Sequence, residues 1–92
     1  MALEQEVMNR IKEAMKAKDK EKLASLRSIK NEILKAKTAK DASELSEEDE
    51  QKLLQKLIKQ REDSAKLYKE QGREDLAEPE ESEAELIKEF LP

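Results

Sequence analysis

The stretch "MKAKDKEKLASLRSIKNEI", residues 15–33, decides whether the first half of this chain is one long helix or two. On its N-terminal side Leu3, Val7, Ile11, Ala14 and Met15 recur at the spacing of one helix face, which predicts a helix over roughly 2–17. From Lys16 to Lys22 the pattern lapses, with Ala17 the only apolar residue. It resumes at Leu23, Leu26, Ile29, Ile33 and Leu34, a second helix running to about Lys40. Asp19 is placed to cap that helix, so the lapse reads as a tight corner. One helix crossing the lapse is the alternative, since no Gly or Pro interrupts it.

The rest of the chain is read from the same periodicity. With 92 residues it has the size of one small domain, spanning 1–92. Charged residues reach 46% and aromatic residues only 2%, a balance that borders on disorder. The net charge of −4 and the regular apolar spacing argue instead for folded helices. One Gly and two Pro leave almost no turn chemistry for strands, so the expectation is all-α: a small bundle of about four helices paired as hairpins, with no sheet.

In "KDASELSEEDEQKLL", residues 40–54, Ser46 is a good N-cap and Glu47, Glu48 and Asp49 suit the positive end of a helix dipole. The run lacks the Gly and the alternating oxygen ligands of a calcium loop, so capping is the favoured reading. A third helix carries Leu53, Leu54, Leu57, Ile58, Ala65 and Tyr68 and stops at Gly72, a natural residue just past a helix end. Pro79 then lies either in the first turn of a last helix or within it as a kink, with Leu76, Ile87, Phe90 and Leu91 on the apolar face.

Composition excludes much chemistry. Without Cys or His there are no disulfides, no ordinary zinc site and no Ser-His or Cys-His pair. A single Gly excludes a phosphate-cradling loop or a dinucleotide fingerprint. No cofactor and no metal are expected. No apolar run approaches the ~18 residues needed to span a bilayer, and no signal peptide is visible, so a cytoplasmic location is expected.

Two sets of charges remain as candidates. Residues 1–42 hold 11 basic and 7 acidic side chains, and the remainder holds 8 basic and 16 acidic. That asymmetry points to an anionic partner at the first half, with Lys16, Lys18, Lys20, Lys22, Arg27 and Lys30 as the candidate nucleic-acid-binding residues. Exposed aromatics for base stacking are missing there, so only phosphate contact is open, and a merely solvated surface is the bland alternative. The second set sits on apolar stripes. Turning the third helix at ~100° per residue puts Arg61 among Leu54, Leu57, Ile58, Ala65 and Tyr68. On the last helix Glu80 and Glu83 share a face with Ala84, Ile87 and Phe90. An Arg in such a place needs a carboxylate, so an internal ion pair from Arg61 to Glu80 or Glu83 is expected. The alternatives are an anion-binding role for Arg61 and a partly solvent-facing stripe with Arg61 snorkelling.

Together "MKAKDKEKLASLRSIKNEI", "IKQREDSAKLYKEQGREDL" (residues 58–76) and "EAELIKEFLP" (residues 83–92) resemble the YqeY-like proteins. These are small bacterial proteins similar to the tail domain of the B subunit of tRNA-dependent Asp/Glu amidotransferase. The Gln60-Arg61, Asp63-Ser64, Tyr68 and Gly72-Arg73-Glu74-Asp75-Leu76 elements, in this order, carry the likeness over nearly the whole chain. It implies a helical first domain, with a second small helical domain expected beyond Pro92. It also implies a tRNA-related accessory role beside a carbon–nitrogen ligase that uses glutamine as amide donor. No residue set here could run that reaction alone. The implied partners are tRNA and an amidotransferase or other protein; a helical protein–protein adaptor without nucleic acid is the alternative.

Overall fold

The computed structural model describes residues 3–92. They form four helices, α1 (Leu3–Ala17), α2 (Lys20–Ala39), α3 (Glu47–Glu70) and α4 (Glu74–Lys88), and no strand among the described residues. The helix expected over 2–17 is present from Leu3, and residue 2 lies outside the described part. The chain divides into two compact units, with the boundary after Glu50 in the first turn of α3.

In the first unit α1 and α2 run antiparallel around a two-residue corner at Lys18 and Asp19. Local chemistry makes the corner. Lys18 takes a left-handed φ of 57°. This lets the Asp19 N–H donate back to the Ala14 carbonyl at 3.0 Å and the Lys18 N–H to the Met15 carbonyl at 3.2 Å, which closes the end of α1. Asp19 then caps α2, its Oδ1 accepting from the Lys22 N–H at 3.1 Å. The end of α2 closes in the same way, with Asp41 at φ 51° and the Ala42 N–H donating to the Lys37 carbonyl at 3.0 Å. Ser46 caps α3, its hydroxyl accepting from the Asp49 N–H at 3.1 Å.

The core of this unit is Leu3, Val7, Ala14, Leu26, Ile29 and Ile33. Of the other residues on the expected apolar faces, Ile11 and Leu23 are half-buried, and two are exposed: Met15 by 55% and Leu34 by 42%. Each follows a buried residue and is therefore turned ~100° from it, beyond the edge of the buried stripe.

The second unit holds the rest of α3 and α4. Leu54, Leu57, Ile58, Ala65, Ala77, Ala84, Leu86, Ile87 and Phe90 are buried in it, while Leu76, expected on the apolar face, is exposed. Gly72, at φ 72°, ends α3 as expected, and the Arg73 N–H donates to the Tyr68 carbonyl at 2.8 Å. Three ion pairs join the two helices in antiparallel register: Lys88 to Glu62 at 3.1 Å, Arg61 to Glu83 at 3.1 Å and Lys69 to Glu81 at 3.2 Å. Lys88 also meets Glu85, and the Glu62 and Glu85 carboxylates hold its ammonium pKa above the ordinary lysine value. Pro79 lies within α4 and does not start it, and the helix continues through to Lys88.

Candidate functional site

The basic residues gather where α1 hands over to α2. Lys16 is in the last turn of α1, Lys18 is the left-handed corner residue, and Lys20 and Lys22 open α2. Arg27 follows two turns later, and all five are exposed; Lys30 is half-buried. These cations form no ion pair or side-chain hydrogen bond among the described residues. Lys35, Lys37, Lys40, Lys59, Arg61, Lys69, Arg73 and Lys88 each meet a carboxylate, while Lys12, Lys56 and Lys66, elsewhere on the helices, are also without one among the described residues. The six do not form a single stripe. At ~100° per residue Lys20 and Arg27 share one face of α2 with Lys30 at its edge, whereas Lys22 points to the opposite side.

Arg61 sits at the boundary of solvent. Its Nε donates to Glu83 Oε1 at 3.1 Å, and the two side chains are 19% and 20% exposed. Gln60 Oε1 accepts from a terminal nitrogen of the guanidinium at 3.5 Å. The pair is thus shielded without being sealed. Of the two carboxylates considered for Arg61, the structure brings Glu83 to it and leaves Glu80, which is half-buried, without a contact to it.

Glu50 escaped the sequence reading. Only 6% of it is exposed. One carboxylate oxygen, Oε2, accepts the Leu3 N–H at 3.3 Å; the other, Oε1, is buried without a hydrogen-bond partner. Burial pushes the carboxyl above its ordinary pKa against the pull of the Leu3 N–H, and the carboxylates of Glu47 and Glu6 push the same way. The signal was available: Glu50 lies on the same α3 stripe as Leu54, Leu57 and Arg61. It was masked by the acidic run Glu47-Glu48-Asp49, where a carboxylate is explained by the helix dipole. Glu50 forms part of the wall of a cavity of about 490 Å³ in the first unit.

Among the described residues no group of three or more His, Cys, Asp or Glu is placed to hold a metal ion, and no helix is long and apolar enough to cross a membrane. The family model for Yqey-like protein matches residues 4–92. The chain is 38% identical over 81 residues to "Altered inheritance of mitochondria protein 41, mitochondrial" of Clavispora lusitaniae, an alignment covering 88% of this chain and 46% of that protein. It therefore spans about half the length of the curated relative it matches. The match runs through both units, from the capped corner at Lys18 and Asp19 to the Arg61–Glu83 pair. The chain belongs to the YqeY-like family.

Proposed function

We propose that this chain is a non-catalytic accessory module that holds RNA, tRNA in the first instance, by its phosphates at the α1–α2 corner. The observation that carries the reading is the unpaired state of Lys16, Lys18, Lys20, Lys22, Arg27 and Lys30 beside so many paired cations elsewhere. An exposed cation without a carboxylate is free to neutralise a phosphate and release its counterion. The likeness of the family to the tail of a tRNA-dependent, glutamine-using carbon–nitrogen ligase supports tRNA as the substrate class and an amidotransferase as a partner. A cytoplasmic setting belongs to the same proposal, while the relative above carries a mitochondrial name.

The test is a tRNA titration at two salt concentrations. Replacing Lys16, Lys18, Lys20 and Lys22 together by Gln is expected to weaken binding, and each lost contact lowers the salt slope by about 0.7–0.9. An unchanged slope assigns the affinity elsewhere. A second reading, a helical protein–protein adaptor, is favoured by the exposed Met8 and Met15, which lie two turns apart on α1. Absence of any tRNA affinity together with loss of a protein partner on Met15→Glu would decide for it.

A further inference from the structure

The basic corner sorts its cations onto two sides of one fixed frame. Residues 16–30 hold six basic and two acidic side chains, and one of the acids, Asp19, is engaged in capping α2. Lys20 and Arg27 share a face of α2, about 10.5 Å apart along its axis, and Lys22 stands about 200° round from Lys20. The backbone beneath them is held by the Lys18 and Asp19 amide hydrogen bonds and by the Asp19 cap. None of Asn, Gln, His, Phe, Trp or Tyr occurs between residues 16 and 30. Nothing there stacks on a base as an aromatic would, and Arg27 alone has a fork suited to a base edge. The first unit as a whole has no aromatic residue: Tyr68 and Phe90 both belong to the second.

Resting on the reading of this corner as an RNA contact, we infer that its partner is a double-helical RNA stem, gripped across two phosphate rows without base readout. A helix with its side chains is about 10–12 Å across, so Lys22 on one side and Lys20 and Arg27 on the other face separate rows. A duplex presents two such rows, held rigid on either side of a wide, shallow minor groove. A single strand would have to wrap half-way round α2 to meet both sides. Ordering it costs entropy that stacking on aromatics ordinarily offsets, and the corner has no aromatic to offer. The major groove of an RNA duplex is deep and narrow, beyond the reach of side chains, which suits a corner whose tip is Lys16 and Lys18.

The test is a fluorescence-anisotropy titration of labelled RNAs with the full chain at low salt. The probes are tRNA, a short blunt RNA duplex, the same duplex with its base pairs reordered, and an oligouridine of equal phosphate count. The duplex is expected to bind at least about tenfold more tightly than oligouridine. Reordering its base pairs should change Kd by less than about twofold, where one base-edge contact alone gives about fivefold or more. Lys22→Gln and, separately, Lys20→Gln with Arg27→Gln should each weaken duplex binding by roughly three- to tenfold. All three positions are exposed, and Lys22 lends the cap only its backbone N–H, so these variants keep the fold. With tRNA bound, oligouridine binding as tightly as the duplex, a change of about fivefold on reordering, or an unaffected Lys22→Gln would overturn the inference and leave the RNA reading standing. Absence of affinity for every RNA, tRNA included, would sink the RNA reading and this inference with it.

Discussion

Lys18 and Asp41 stand where glycine is the cheap residue. Both hold a positive φ to close a helix, as Gly72 does. An L-residue there costs about 1 kcal/mol relative to glycine. Lys18→Gly is therefore expected to stabilise the protein by about 1 kcal/mol, raising the melting temperature by roughly 4–8 °C. A circular-dichroism melt checks it. If the corner binds phosphate, the same variant should bind tRNA more weakly while being more stable. That opposition would separate a lysine kept for contact from one kept for structure. At Gly72 the reverse change, Gly72→Ala, would meet no neighbour, so any cost there comes from φ alone.

Between elements, the Arg61–Glu83 contact is the test of how α3 and α4 are held in register. Its side chains are about four-fifths shielded, between an exposed pair worth little and a sealed one worth much. Arg61→Ala is expected to cost about 1–3 kcal/mol, because it leaves the Glu83 carboxylate without its partner. Arg61→Met combined with Glu83→Leu should recover most of that loss, and a double-mutant cycle by urea unfolding measures the coupling. An unchanged melting temperature for Arg61→Ala with loss of tRNA affinity would instead place Arg61 on the binding surface. Within α4, Pro79 cannot donate to the carbonyl of Asp75 one turn before it. Pro79→Ala restores that bond and should stabilise the protein by about 1–3 kcal/mol, read in the same unfolding experiment.

At the scale of the whole molecule the ionisable groups pull stability in opposite directions with pH. Glu50 has a raised pKa when folded, so between the unfolded value near 4.5 and its folded value the native state binds more protons. Its contribution therefore grows as pH falls through that window. Asp49, held low by a hydrogen bond from Lys40, and Asp75, held low by Arg73, behave oppositely. Their contribution is present above the unfolded value of 3.8 and is lost as pH falls through their folded values. As pH falls, melting temperature should thus rise while Glu50 takes up its proton, above its unfolded value of 4.5, and fall once the pH drops below 3.8 towards the folded values of Asp49 and Asp75. Glu50→Gln should remove the rise and leave the fall.

Fold and site were legible in the sequence to different depths. Helix number, the corner at Lys18 and Asp19, the Ser46 cap and the stop at Gly72 depend on atoms within a few residues of each other. Local pattern and capping chemistry therefore sufficed for them. Which of two adjacent apolar residues is buried was not decidable that way, because Met15, Leu34 and Leu76 each lie within about 100° of a buried neighbour. Likewise Glu80 and Glu83 share a face of α4 but stand about 4.5 Å apart along its axis, so only the register against α3 selects Glu83 for Arg61. Glu50 is the extreme case: its sequence neighbourhood explains an exposed helix-start carboxylate, and only the approach of Leu3, 47 residues away, buries it and leaves one oxygen without a partner. Contacts made along the chain are written in the chain; contacts made across it depend on where another segment arrives, and periodicity alone does not encode that.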